Sequence, residues 1–288
     1  MNTAVLPPWL VLDSMLTAWL MEDIGRGDRT TQSLFCESPL SQSGQWIAKE
    51  SGVIAGLPIA ARVFQLLNSS TQFQSLVQDG DYCTQGQLIA EISGLPEALL
   101  TGERVALNLA MRLSGIATAT RRYVDKIADL PTQFADTRKT IPGLRVLEKY
   151  ASQVGGAVNH RMGLDDAVML KDNHIAAAGS IGVAIALVRR HAPYPLTIEV
   201  ETETLDMVAE ALHYQADIIM LDNMPLDVMR EAVQQIRATS DRVKIEASGN
   251  VTLDSIRAIA ETGVDYISSS APITRSHWLD LSMRFQAG

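Results

Sequence analysis

The second half of the chain repeats one unit, and that repeat limits the fold more than any other feature. Beyond residue 131, seven short apolar runs recur at 134–135, 157–158, 167–170, 196–200, 218–221, 243–245 and 266–267. Stretches of helical periodicity at 144–154, 181–191, 205–214, 226–236 and 253–261 separate most of them. Alternating strands and helices imply a parallel sheet with right-handed crossovers. Seven units suit an incomplete α/β barrel of the TIM type, one short of the usual eight, with a doubly wound open sheet as the alternative.

In such barrels chemistry gathers where strands end. Here every predicted strand end is polar. The first runs into Asp136-Thr137-Arg138-Lys139-Thr140, the second into Asn159-His160-Arg161, and the third into Lys171-Asp172-Asn173-His174. The fourth closes on Glu199 and Glu201, the fifth on Asp222-Asn223, the sixth on Glu246-Ala247-Ser248-Gly249, and the seventh on Ser268-Ser269-Ser270. Arg138, Lys139, His160, Arg161 and Lys171 make one side of the mouth cationic, although the chain carries 24 Lys and Arg against 33 Asp and Glu. An acidic background argues against a general nucleic-acid or anionic-membrane surface, so the local basic cluster points to a small polyanion. Guanidinium forks take carboxylate or phosphate bidentately, and lysine adds a point charge.

Glu201 and Asp222 opposite would hold Mg²⁺ or accept hydrogen bonds from sugar hydroxyls. Ser248-Gly249-Asn250 precedes a helix expected near Thr252, whose first N–H groups would attract phosphate. No Walker A or G-x-G-x-x-G sequence occurs. His160 is the better ligand of the two strand-end histidines, while His174 is expected to cap or orient its loop.

The first part of the chain reads as α+β and structural. A helix is expected over 8–21, strands over 44–49 and 52–55, and a hairpin over 79–94. That last pattern resembles lipoyl and biotinyl carriers but lacks their lysine. Residues 96–129 read as helical, broken at Gly115. The expected division is an N-terminal α/β sandwich over 1–114 and a barrel over 115–273, with a helix at about 274–288 packing back on the first domain. Cys36 and Cys83 have no metal or CxxC spacing and read as reduced. No basic leader pattern and no run of about 20 apolar residues is present, which suggests the cytoplasm.

Several long motifs are specific. They are 137–150 (Thr-Arg-Lys-Thr-Ile-Pro-Gly-Leu-Arg-Val-Leu-Glu-Lys-Tyr), 159–166, 170–175, 22–31, 103–108, 113–118, 221–224 and 246–249. Together they closely resemble the quinolinate phosphoribosyltransferase family, the carboxylating nicotinate-nucleotide pyrophosphorylases, over nearly the whole chain. The resemblance implies transfer of phosphoribose from phosphoribosyl pyrophosphate to quinolinate with Mg²⁺, giving nicotinate mononucleotide, pyrophosphate and CO₂ for de novo NAD synthesis. It implies a sandwich joined to a seven-stranded barrel, and a homodimer or hexamer in which Arg104 completes the neighbouring site. By motif, Arg138, His160, Arg161 and Lys171, with that Arg104, would surround the two carboxylates of quinolinate. Lys139 would reach the pyrophosphate, Glu201 and Asp222 the ribose and Mg²⁺, directly or through water. Ser248, Gly249, Asn250 and the Ser268, Ser269, Ser270 loop would hold the 5′-phosphate. Lys139, Lys171, Glu201 and Asp222 are the expected catalytic set. Ser270 departs from the glycine usual in that loop. A paralogue using another base, a Schiff-base aldolase acting through Lys171, and a noncatalytic binding module are the competing readings. Asp172 and the neighbouring arginines speak against a neutral lysine.

Overall fold

The computed structural model describes residues 4–35 and 40–285, which form two compact units. One contains 4–35, 40–121, 146–156 and 275–285; the other contains 122–145 and 157–274. This differs from a single cut between 114 and 115.

The first unit begins with helices α1 (Trp9–Ile24) and α2 (Arg29–Leu34), then strands β1 (Gln42–Ala48) and β2 (Gly52–Val53). It continues through α3 (Leu57–Leu67), β3 (Gln72–Ser75), β4 (Tyr82–Cys83), β5 (Leu88–Gly94) and the long α4 (Pro96–Asp125), which crosses into the second unit. β1 alternates exposed and buried residues, and Trp46 from its inner face meets Phe64 and Phe73 edge-on at 6.2 and 5.3 Å. Such aromatic packing favours a fixed sheet–helix geometry. On α1, Leu12, Leu16 and Leu20 face inward at four-residue spacing, while Leu10 is exposed.

Three expectations fail here, each through a contact distant in sequence. The 79–94 segment is not a hairpin: β4 pairs with β2, whereas β5 pairs with β1 and β3. The C-terminal segment expected as helix contains strand β12 (Leu281–Phe285), antiparallel to β1. Its final three residues lie outside the described residues, as does Cys36; Cys83 is buried and free. Gly115 does not break α4. A Cβ there would lie 1.9 Å from the His277 carbonyl oxygen, so glycine permits the C-terminal chain to cross a continuous helix.

The second unit contains β6 (Gln133–Ala135), β7 (Val168–Leu170), α6 (Asp172–Ala178), α7 (Ile181–His191) and β8 (Ile198–Thr202). It ends with α8 (Leu205–His213), β9 (Ile218–Asp222), α9 (Leu226–Thr239), β10 (Lys244–Ser248), α10 (Ile256–Ala260), β11 (Tyr266–Ser268) and α11 (Ala271–Thr274). Helix α5 (Arg145–Val154), though between β6 and β7 in sequence, belongs almost wholly to the first unit. There Arg112 of α4 pairs with its buried Glu148 at 2.7 Å, and the Tyr150 hydroxyl donates to Asp79 at 2.7 Å.

The parallel sheet runs β6-β11-β10-β9-β8-β7. Val158 adds one parallel bridge to Ala135 on the free side of β6, where the second strand was expected. These seven positions follow a circular order that is open between Val158 and β7. It is the expected incomplete barrel; Val200, Ile219, Ile245 and Ile267 lie on the sheet face opposite Glu199, Glu201 and Glu246, in the apolar core shared with the helices.

Candidate active site

On the cationic side, Asp136 ends the first strand and is buried; its Oδ1 accepts the His160 backbone N–H at 2.9 Å. Arg138 is half-buried and Lys139 exposed, and among the described residues neither has a carboxylate partner. Arg161 donates from Nη1 to the Ala167 carbonyl at 2.8 Å, spanning the barrel opening just before β7. Burial and the charge of Arg138 hold the Arg161 pKa below its ordinary value, against opposition from Glu199 and Asp166. The Arg161 guanidinium thus feels a like charge from Arg138, an arrangement that an anion would favour.

His160 turns away from that surface. Its Nε2 lies 3.2 Å from Glu199 of β8 and 3.4 Å from Glu246 of β10, both buried. Its Nδ1 accepts the Arg161 backbone N–H at 2.7 Å. Two influences conflict on this ring. Burial would lower its pKa, yet hydrogen bonds to Glu199 and Glu246 and their charges outweigh burial and raise it to about 10. An imidazolium, however, would place a second N–H on Nδ1 against the donating amide. An acceptor at Nδ1 fits the tautomer that carries its proton on Nε2, facing the two carboxylates. Burial, above all, raises the Glu199 pKa, against the hydrogen bond and charge of His160 and the charge of Arg161. These three side chains are close enough to hold a metal ion, but a protonated Nε2 is a donor and not a ligand.

The other side of the mouth is already tied down. Lys171 donates from Nζ to Glu201, the bland ion-pair alternative to a free ligand lysine. His174 accepts the Lys171 backbone N–H through Nδ1 at 3.0 Å, the capping role expected of it, at the start of α6. Asp222 accepts from the Asn223 side-chain amide at 2.8 Å, and Asn223 Oδ1 accepts from Asn250 at 3.0 Å. Asn223 and Asn250 adopt φ of 53° and 48°, a region asparagine tolerates better than most residues. Gly249 lies beneath them with φ 94°, and a Cβ there would fall 2.2 Å from Asn223 Oδ1. The helix expected near Thr252 starts only at Ile256, because Thr252 and Ser255 first close a hydrogen-bonded turn. Backbone exposed near a phosphate would therefore belong to Gly249 and Asn250, not to a helix start. Ser268 and Ser269 are buried and Ser270 half-buried; the Ser269 hydroxyl accepts the Ala271 N–H at 3.2 Å. Hard carboxylate oxygens from Glu201 and Asp222, each with one oxygen engaged, fit a Mg²⁺ that keeps most of its water and substrate ligands.

Arg138, Lys139, His160, Arg161, Lys171, Glu201, Asp222, Ser248, Gly249, Asn250 and the three serines all lie at strand ends of the barrel unit. Arg104 belongs to the first unit, where it is exposed on α4 without an ion pair among the described residues. Reading strand ends named Glu199, Glu246 and Asn223 but gave these three contributors to the site's geometry no role. The available signals were a charge two residues before Glu201 on the same strand face and a second polar residue directly after Asp222.

Sequence models of the N- and C-terminal domains of quinolinate phosphoribosyl transferase match residues 28–114 and 116–284. A protein of Synechocystis sp. named "Probable nicotinate-nucleotide pyrophosphorylase (carboxylating)" is 62% identical over 97% of this chain and 94% of its own length. A Bacillus subtilis protein of the same name is 46% identical over 95% and 93%. The crystal structure of NadC from Streptococcus pyogenes superposes with a TM-score of 0.93 at 42% identity, covering 98% of this chain and all of that one.

Proposed function

The chain belongs to the quinolinate phosphoribosyltransferase family, and from that membership we infer that it transfers phosphoribose to quinolinate with loss of CO₂. It is a carboxylating nicotinate-nucleotide pyrophosphorylase acting in de novo NAD synthesis. The observation that carries the chemistry is the cationic strand-end set, where Arg138 and Lys139 have no carboxylate partner among the described residues and Arg161 sits within the field of Arg138. Quinolinate brings two adjacent carboxylates that repel each other, and a guanidinium pair can hold them together.

In this reading Arg138, Arg161 and Lys171 bind the acid, with Lys171 exchanging Glu201 for a substrate carboxylate. Lys139 meets the pyrophosphate, and Glu201 and Asp222 face the ribose and Mg²⁺. Bound Mg²⁺ would neutralise charge on the departing pyrophosphate. The ribose then carries oxocarbenium character, and the pyridine nitrogen attacks C1′. Its new positive charge stabilises the carbanion left when CO₂ departs, so the protein chiefly orients and screens. Gly249, Asn250, Ser248 and the 268–270 loop receive the 5′-phosphate. The Lys171 ammonium already donates in an ion pair with Glu201, which disfavours the Schiff-base alternative.

The exposed Arg104 supports a homo-oligomer in which it reaches a neighbouring site. The free, buried Cys83 fits a reducing cytoplasm. No helix among the described residues is long and apolar enough to cross a membrane.

Purified protein with Mg²⁺, quinolinate and phosphoribosyl pyrophosphate should form nicotinate mononucleotide, pyrophosphate and CO₂. Turnover with a different base, and none with quinolinate, would sink the substrate assignment. Mixing Arg104→Ala with Lys171→Ala chains should restore activity if Arg104 acts on a neighbour. Inactive mixed oligomers would refute that sharing.

A further inference from the structure

The second strand of the barrel is held unlike the other six. It makes one bridge to β6 and, among the described residues, no ladder to β7. A strand end with so little pairing should drift, because each missing ladder bond removes a constraint on the backbone. Yet this segment carries Arg161.

Side chains replace the missing ladder. Asp136 takes the His160 N–H at 2.9 Å, and the His160 ring takes the Arg161 N–H at 2.7 Å. The far side of the same ring reaches across to Glu199 on β8 and Glu246 on β10 at 3.2 and 3.4 Å. Glu199 and Glu246 are 2% and 5% exposed at the side chain, and among the described residues the buried Oε1 atom of each has no hydrogen-bond partner. Leaving such atoms unsatisfied costs stability, which a purely structural apolar filling would avoid. Both ring nitrogens are engaged inside the chain, so His160 has no polar ring atom left for substrate.

We propose that His160 is a positioning residue: tethered by Glu199 and Glu246, it fixes the Arg161 backbone across the open seam of the barrel and so aims that guanidinium at the mouth. The tether supplies from the barrel interior what β7 does not supply from the side. Arg161 completes the closure by donating to Ala167 across the opening. The catalytic part of this proposal rests on quinolinate being the substrate; the tether itself does not.

Two measurements separate those claims. Nitrogen-15 NMR of the histidines in the full-length protein should show His160 protonated on Nε2, with Nδ1 as an acceptor. A signal for the Nδ1-protonated tautomer, or stoichiometric transition metal in the purified protein that His160→Ala loses, would overturn the tether. Neither readout requires turnover.

Kinetics of His160→Ala, Arg161→Ala and the double variant then test action through Arg161. His160→Ala should raise KM for quinolinate about 10-fold with KM for phosphoribosyl pyrophosphate unchanged, and add less than about 2-fold in the Arg161→Ala background. Additive losses would mean that His160 touches substrate itself and would defeat the proposal. Should His160→Ala not fold, Glu246→Gln weakens the tether at its far end and should give the same selective rise in quinolinate KM. A Glu246→Gln enzyme with wild-type KM would equally defeat it. Absence of any wild-type turnover with quinolinate would instead fault the substrate reading and leave the NMR result to decide the tether.

Discussion

The two sides of the barrel mouth are built on opposite terms. On the side of β6 and Val158, Arg138 and Lys139 lack carboxylate partners among the described residues and Arg161 spends one guanidinium nitrogen on a carbonyl. On the side of β8, β9 and β10, the carboxylates are already engaged: Glu201 by Lys171, Asp222 by Asn223, and Glu199 and Glu246 by His160. The basic side holds charges without carboxylate partners among the described residues, so an incoming anion should draw most of its affinity from it. The acidic side is organised before ligand arrives, so it should govern orientation. Preorganised dipoles and fixed charges need little rearrangement during reaction.

Removing both guanidinium groups gives the strongest test of this contrast. Arg138→Ala/Arg161→Ala should reduce kcat/KM for quinolinate by about 1000-fold, since each charge-assisted bond contributes about 1.5–3 kcal/mol. A loss under about 10-fold, measured by steady-state kinetics, would show that the basic side is not the anion site.

Asn223→Ala should act on the other side. It frees the Asp222 carboxylate, breaks the tie to Asn250, and places alanine where φ is 53°. KM for phosphoribosyl pyrophosphate should rise about 10-fold with quinolinate KM nearly unchanged, the cost of one hydrogen-bonded positioning contact. Equal rises in both constants would erase the division of labour.

The smallest effect is expected from Glu201→Gln. Gln cannot ion-pair with Lys171, so calorimetry should show quinolinate binding a few-fold tighter, a gain of about 1 kcal/mol or less for a half-exposed pair. Turnover should nevertheless fall, because the carboxylate facing ribose and Mg²⁺ is gone. Weaker quinolinate binding would mean that Lys171 needs Glu201 for its position and is not restrained by it.

Much of this architecture was readable along the chain because it depends on near neighbours. The βα rhythm, the polar strand ends and the His174 cap are set within a few residues. The expected helix at the C-terminus failed although the alternation Leu281-Ser282-Met283 was present, because five residues do not reveal a partner at β1. Gly115 looked like a helix break because its real constraint, the His277 carbonyl, is far along the sequence. Helix α5 read as barrel for the same reason: Arg112 and Asp79 draw it to the first unit.

By itself, the sequence determined the barrel's unit count, the basic and acidic sorting of its strand ends, and the family motifs. These are local patterns of hydrophobicity, charge and spacing. Only the tertiary structure decided that the barrel opens beside Val158, that Lys171 and Glu201 pair with each other, and that His160 is held by Glu199 and Glu246. A side chain's charge and identity travel with the sequence. Its hydrogen-bond partner depends on which distant strand burial brings within about 3 Å, and that distance exists only after folding.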